Sequence, residues 1–248
     1  MASIQLDSVS VDFPIYNFSA RSLRKQFLCL TTGGVLKSQE NTVLVKALDK
    51  VTLKFNHGDR VGLIGHNGAG KSTLLRVLAN IYEPIQGRIY YQGKISPLLN
   101  VMLGINPEST GYENIMVRGL LLGLTRKEIG DKLAQIVEFT ELGDYLFAPV
   151  RTYSSGMQLR LAFAVAICVK PDILLMDEML AVGDAEFAKK AQICLEEFID
   201  QSSILVLASH SNETIQRFCN KVVLLEKGQL KFFGSIKDGF ERYIALNN

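Results

Sequence analysis

The chain has 248 residues, 48% of them hydrophobic, and its 27 Lys and Arg against 25 Asp and Glu leave a formal net charge of +2. That is enough apolar content for a large core, as one α/β domain with a lobe or as two compact bodies, while the near balance of charge argues against nucleic-acid binding driven by bulk charge. Cys29, Cys168, Cys194 and Cys219 are scattered, with no C-x-x-C pair; they read as reduced, mostly buried thiols of a cytosolic protein with no metal-cluster spacing.

Ile4, Leu6, Val9, Val11 and Phe13 alternate with polar residues, the mark of a half-buried strand rather than of a secretory leader. Residues 14–42 are irregular and polar. Within them Leu23, Phe27 and Leu30 fall at helical spacing beside Arg21, Arg24 and Lys25. This stretch reads as a surface helix over a sheet edge, or as a basic amphipathic helix touching a membrane. Strand character resumes from Val43 to Phe55, and His57-Gly58-Asp59 makes a turn.

The next stretch has the strongest chemical signal. Arg60 to Ile64 reads as a buried strand, Lys71 to Asn80 as a helix, and between them runs Gly65-His66-Asn67-Gly68-Ala69-Gly70-Lys71-Ser72. This fits Gly-x4-Gly-Lys-[Ser/Thr]. Glycines let successive N–H groups turn inward around a phosphate. Lys71 adds a point charge for the β- and γ-phosphates, and the Ser72 hydroxyl suits Mg²⁺. Thr73 follows in the first helical turn and counts among the nucleotide-binding residues. The helix N-terminus points at the phosphates.

Arg88 to Gln92 reads as another strand. From about Ser96 the pattern becomes helical: Thr110-x-x-Glu113 and Thr125-x-x-Glu128 are capping boxes, and Ile129, Leu133, Ile136 and Val137 line one face of the second helix. Residues 96–160 are expected to form a helical lobe inserted in a nucleotide core made of 1–95 and 161–248. Ile173 to Met176, Ile204 to Ala208 and Val222 to Glu226 are short apolar strands, with a helix from about Asp184 to Asp200 between the first two. The alternation predicts a mostly parallel sheet covered by helices. The longest unbroken apolar run, Leu161 to Val169, is far short of the roughly 20 residues of a membrane span.

The strand from Ile173 ends in Asp177-Glu178, at the ligand edge of such a sheet. Asp177 can hold Mg²⁺ through water opposite Ser72, and Glu178 can polarise an attacking water. Tyr153-Ser154-Ser155-Gly156-Met157-Gln158 opens an apolar helix with small polar residues. That makes a second anion-binding helix N-terminus.

This last run resembles the Leu-Ser-Gly-Gly-Gln signature of ABC ATPases. Leu180-Ala181-Val182-Gly183-Asp184 resembles their D-loop, and Ala208-Ser209-His210-Ser211 their switch-histidine segment. The resemblance covers nearly the whole chain. It implies a P-loop NTPase of the ABC type, α/β, with an N-terminal antiparallel β part and an inserted helical lobe. Phe13 takes the place of the aromatic that stacks on adenine, with Tyr16 second. Asp184 joins the nucleotide-binding residues, and His210 reaches the γ-phosphate.

Within that family, Ser96 to Ile115, Tyr153 to Met157 and Ala181 to Phe187 resemble the ATPases of polysaccharide exporters, which move O-antigen, capsule or teichoic-acid chains. Two departures stand out. Asn100 occupies a run that lacks the usual Q-loop glutamine, and the signature has Ser155 for glycine and Met157 for glutamine. The resemblance implies ATP and Mg²⁺ as cofactors and a homodimer in which Ser154, Ser155 and Gly156 bind the γ-phosphate held by the other copy. It also implies a separate transmembrane permease, itself a dimer, met through 96–125, with lipid-linked polysaccharide as cargo and no nucleic acid. The place of action is the cytoplasmic face of the cytoplasmic membrane. The chain ends at Asn248, so no C-terminal carbohydrate-binding domain is expected. The competing readings are an ATPase for drug, lipid or metal transport, and a non-transport ABC protein of repair, chromosome organisation or translation.

Overall fold

The computed structural model describes residues 1–15, 35–39, 42–177 and 185–247. The expected helix around Leu23 to Leu30, and Tyr16, Cys29, Glu178 and Leu180 to Asp184, lie outside them. The described residues form two compact units: Met1–Ile95, Ile173–Glu178 and Ser203–Asn248 in one, Ser96–Asp172 and Met179–Ser202 in the other. The second unit thus extends beyond the 96–160 lobe read from the sequence, into 161–172 and 179–202.

The first unit holds two sheets. Strands β1 (Ser3–Ile15), β2 (Val35–Gln39), β3 (Thr42–Asn56) and β5 (Gln86–Gln92) form an antiparallel sheet in the order β2-β3-β1-β5. Ile4 and Leu6 are buried while Gln5 and Asp7 are exposed, as the alternation requires. In the other sheet, β4 (Arg60–Ile64), β7 (Ile173–Asp177), β8 (Ile204–Ala208) and β9 (Lys221–Glu226) run parallel in the order β9-β4-β8-β7. Ile173 to Met176 and Ile204 to Ala208 are buried at every position. Continuous apolar runs of this kind suit parallel strands covered on both faces.

Helix α1 (Lys71–Leu78) rests on β7 and β8 through its buried Leu74, Leu75, Val77 and Leu78. It stops short of the expected Asn80, which takes a left-handed φ of 56° and ends the helix. Two elements beyond the sequence reading follow β9. Strand β10 (Gln229–Ser235) pairs antiparallel with β9 across Lys227 and Gly228, both at positive φ, as a two-residue type I′ hairpin needs. Helix α7 (Ile236–Asn247) then packs on both strands. A short α6 (Asn212–Phe218) precedes β9.

Strand β6 (Ile95–Leu98) leads out of the first unit. The second unit is built from α2 (Gly111–Leu121), α3 (Arg126–Thr140), α4 (Ser155–Ala166) and α5 (Ala185–Asp200). Both capping boxes form: Thr110 and Thr125 accept from the N–H of Glu113 and Glu128, whose carboxylates accept in return. Ile115, Ile129, Ile136, Leu146, Leu161 and Val165 make its core. Phe139 meets both Phe163 and Phe187. Glu141 ends α3 and ties α5 and α4 together, through Lys190 at 2.6 Å and Arg160 at 3.3 Å. Cys168 and Cys219 are buried free thiols and Cys194 is half-buried. Among the described residues no helix is long and apolar enough to cross a membrane.

Candidate nucleotide site

Parallel register brings the chemistry of the first unit to one edge. Ile64 ends β4 and enters the Gly65–Ser72 loop, Asp177 ends β7, and Ala208, its register partner, ends β8 just before Ser209 and His210. The C-terminal ends of parallel strands are where open α/β sheets bind ligands.

The loop wraps as the glycine spacing predicts. Gly65, Gly68 and Gly70 all have positive φ, and a Cβ on Gly65 would stand 2.3 Å from the carbonyl oxygen of Leu225. The buried Lys71 folds back into the loop, its Nζ donating to the Gly65 oxygen at 2.6 Å and to the His66 oxygen at 3.1 Å. The turn after β9 braces the loop from behind, with Gly228 N–H donating to Ala69 O at 3.0 Å. Ser72 and Thr73 lie in the first turn of α1, whose N–H groups have no helical acceptor of their own. Asn67 and Gly68 are exposed at the tip, and the His66 ring nitrogen Nδ1 lies 2.7 Å from the Asn67 oxygen.

Ser72 and Asp177 offer two protein oxygens. That donor set fits Mg²⁺, which keeps several waters and takes phosphate oxygens rather than a protein cage. No cluster of three or more His, Cys, Asp or Glu with metal-ligand geometry occurs among the described residues. His210 is exposed beyond β8, in a turn where Ser211 N–H donates to Ser209 Oγ at 3.1 Å and Ser211 caps α6.

Phe13 is half-buried near the end of β1. Its ring meets Tyr82 edge-on at 5.2 Å, and Arg76 lies over the Tyr82 ring with Nη1 3.4 Å from the hydroxyl. Tyr82 is not singled out by the sequence: in Ile81-Tyr82-Glu83-Pro84 it looks like an ordinary turn residue, and its contact with Phe13 arises only from folding.

In the second unit Ser154 is the N-cap of α4, accepting from Met157 N–H at 3.2 Å, with Ser155 and Gly156 in the first turn. Ser154 and Ser155 are exposed. The buried Tyr153 anchors the run by donating from its hydroxyl to Tyr145 O, and burial pushes its phenol up. Asn100 turns onto its own loop, its Oδ1 accepting from Met102 N–H at 3.0 Å.

A family model described as ABC transporter matches residues 48–181. The chain belongs to the ABC transporter family. Against curated proteins, this ABC ATPase is 47% identical over 229 residues to the O-antigen export system ATP-binding protein RfbE of Yersinia enterocolitica, spanning 92% of this chain and 96% of that one. It is 38% identical to the O-antigen export system ATP-binding protein RfbB of Myxococcus xanthus, spanning 92% of this chain and 54% of that protein's length. It is 36% identical to the ABC transporter protein AbcA of Aeromonas salmonicida, spanning 98% and 76%. Among solved structures, an ATP-binding subunit of an ABC transporter superposes with a TM-score of 0.68 at 22% identity, covering 98% of this chain and 93% of the other. The ATP-binding cassette MJ0796, as a dimer bound to ADP and Pi, superposes at 0.65 and 19%, covering 94% and 98%. At those identities the likeness speaks for the fold: a P-loop α/β ATPase with a mostly parallel sheet, an antiparallel N-terminal part and a helical unit.

Proposed function

We propose that this chain is the ATP-hydrolysing subunit of an ABC exporter that moves a lipid-linked polysaccharide, O-antigen, across the cytoplasmic membrane. The observation that carries the cargo is the 47% identity along 96% of an O-antigen export ATP-binding protein. The chemistry rests on the loop, Asp177 and His210 meeting at one sheet edge.

In this reading the loop N–H groups and Lys71 hold the β- and γ-phosphates, and Phe13, backed by Tyr82, receives the adenine. Ser72 and Asp177 would hold Mg²⁺, which neutralises charge on the phosphates. Glu178 accepts a proton from the attacking water, and His210 donates to the γ-phosphate. Asp184 joins the residues that bind the nucleotide. Ser154 and the first-turn N–H groups of Ser155 and Gly156 make an anion-binding helix start, which suits the ATP bound by a second copy. The solved cassette MJ0796, a dimer bound to ADP and Pi, supports that pairing. ATP would thus join two subunits, and hydrolysis would part them. The motion passes through 96–125 to a membrane permease on the cytoplasmic side.

The test is deletion of the gene in its host, complemented with wild type or with Glu178→Gln. The expected result is loss of long-chain surface glycan with lipid-linked glycan held in the cytoplasm, restored by wild type alone. Normal surface glycan in the deletion strain would overturn the cargo. For the purified variant, hydrolysis should fall roughly 10²–10⁴-fold with ATP binding intact.

A further inference from the structure

A cavity of about 220 Å³ lies among α3, α4 and α5 and shares no residue with the nucleotide site. All of its walls belong to the second unit. One face of α3 lends Lys132, Ile136 and Phe139, at i, i+4 and i+7, and α5 lends Cys194 and Phe198, one turn apart. Ala164 and Cys168, both buried, come from the end of α4 and the turn after it. The thiols are apolar lining rather than ligating groups. Burial pushes both up from the ordinary value, so each keeps its proton at neutral pH, and Cys168 Sγ donates to Ala164 O at 3.1 Å.

The rim is cationic. Lys132 is half-buried and Lys170 exposed, and no carboxylate among the described residues pairs with either. Lys190, by contrast, is held by Glu141 at 2.6 Å. Glu197, exposed, is the carboxylate among the lining residues, so two ammonium groups face one acid and a positive excess remains. The interior is aromatic as well as aliphatic. Phe139 and Phe198 both line it, and the Phe139 ring also meets Phe163 of α4 and Phe187 of α5. Protein interiors leave few voids larger than a water, and an engineered cavity of roughly 150 Å³ already takes benzene. This cavity is larger by about half. An apolar pocket between helices with a few convergent polar groups is the usual make-up of a small-molecule site.

We propose that the cavity binds a small organic acid, with a compact two-ring aromatic body among Ile136, Phe139 and Phe198 and its carboxylate at Lys132 and Lys170. The two phenylalanine rings give an aromatic body edge or offset contacts that an alkyl chain lacks. The ammonium groups give the carboxylate charge-assisted hydrogen bonds. Because Phe139 touches both neighbouring helices, an occupant pressed against it braces α3 on α4 and α5. The site goes beyond the exporter reading and does not depend on the cargo.

The purified chain is titrated by calorimetry with 2-naphthoate and with its neutral counterpart, 2-naphthalenemethanol. The acid is expected to bind with a dissociation constant of about 0.1 mM, within reach of a ligand of about a dozen heavy atoms. The alcohol should bind at least about fivefold more weakly, and the double variant K132M/K170M should lose about that factor for the acid and none for the alcohol. With the acid at about ten times its dissociation constant, alkylation of Cys194 by iodoacetamide, followed by mass spectrometry, should slow about tenfold. Equal affinity for acid and alcohol, or unchanged acid affinity in the double variant, overturns the assignment of an anion. Binding that leaves Cys194 alkylation unchanged puts the acid elsewhere and overturns the site, as does the absence of saturable binding at about ten times the expected constant. If the double variant does not fold, the acid–alcohol comparison and the alkylation of wild type decide the same question.

Discussion

The ammonium of Lys71 lies 2.6 Å from the carbonyl oxygen of Gly65, so the last charged residue of the phosphate loop is tied to its first glycine. The tie aims the buried Lys71 ammonium into the mouth of the loop. Lys71→Met keeps the length and removes the charge. ATP affinity by calorimetry is expected to fall at least about 30-fold, the scale of a lost buried charge contact. Stability should drop by about 1–3 kcal/mol in a urea titration, because the Gly65 oxygen loses its partner.

Two glycines at the motifs should behave in opposite ways. Gly70 has φ +109°, and a Cβ there would stand 2.7 Å from Ala47 O. Gly70→Ala is expected to destabilise by roughly 1–3 kcal/mol and to weaken nucleotide binding with it. Gly156 lies in a helical first turn, where a Cβ would meet nothing nearer than Ser154 Oγ at 3.9 Å. Gly156→Ala should leave stability unchanged or raise it by about 0.5–1 kcal/mol. Hydrolysis should nonetheless fall at least about tenfold, since the methyl would stand where a second copy's phosphate approaches the helix start. Calorimetric melting and ATPase assays on both variants separate the effects. Unchanged hydrolysis in Gly156→Ala would count against the composite site.

These contrasts also mark what the sequence could show. The phosphate loop was legible because its glycines, lysine and serine are local, and the strand before and helix after it are short and apolar. The capping boxes at Thr110 and Thr125 were legible for the same reason: both partners lie within four residues. The β9–β10 hairpin was not, because Lys227-Gly228 is a weaker signal than Asn-Gly for a type I′ turn. Nor was the extent of the helical unit. The links among Glu141, Arg160 and Lys190 join residues far apart in sequence. The contacts of Tyr82 with Phe13 and of Arg118 with Leu103 come only from what folding brings beside them.

Asn114 is the test of how rigidly the Asn106–Thr110 turn is held to α2. Asn114→Ala removes the acceptor of the Asn106 N–H and one donor from the carbonyl oxygens of Asn106, Ser109 and Thr110, each of which keeps a backbone N–H. The expected loss is about 1–3 kcal/mol in a denaturant titration, the scale for one backbone donor left without its acceptor. Hydrogen exchange should rise at Asn106 N–H and stay unchanged in β4 and β8. A loss below about 1 kcal/mol would mean that water replaces the amide without cost.

Cys219 supplies a pH prediction. Burial pushes its thiol up to about 12 from an ordinary value of 9.0. The folded state therefore keeps a proton that the unfolded chain releases. Its contribution to stability is whole below about pH 9, falls as pH rises beyond that, and is lost by about pH 12. The slope approaches about 1.4 kcal/mol per pH unit for one proton, so between pH 8 and pH 10.5 the loss from this group is about 2 kcal/mol. Cys219→Ala removes the titration and leaves other alkaline groups in place. Urea titrations of both proteins at the two pH values should show wild type losing about 2 kcal/mol more than the variant. Equal losses would mean that the thiol ionises in the fold as readily as in the open chain, and that its packing at the C-terminus of α6 does not exclude water.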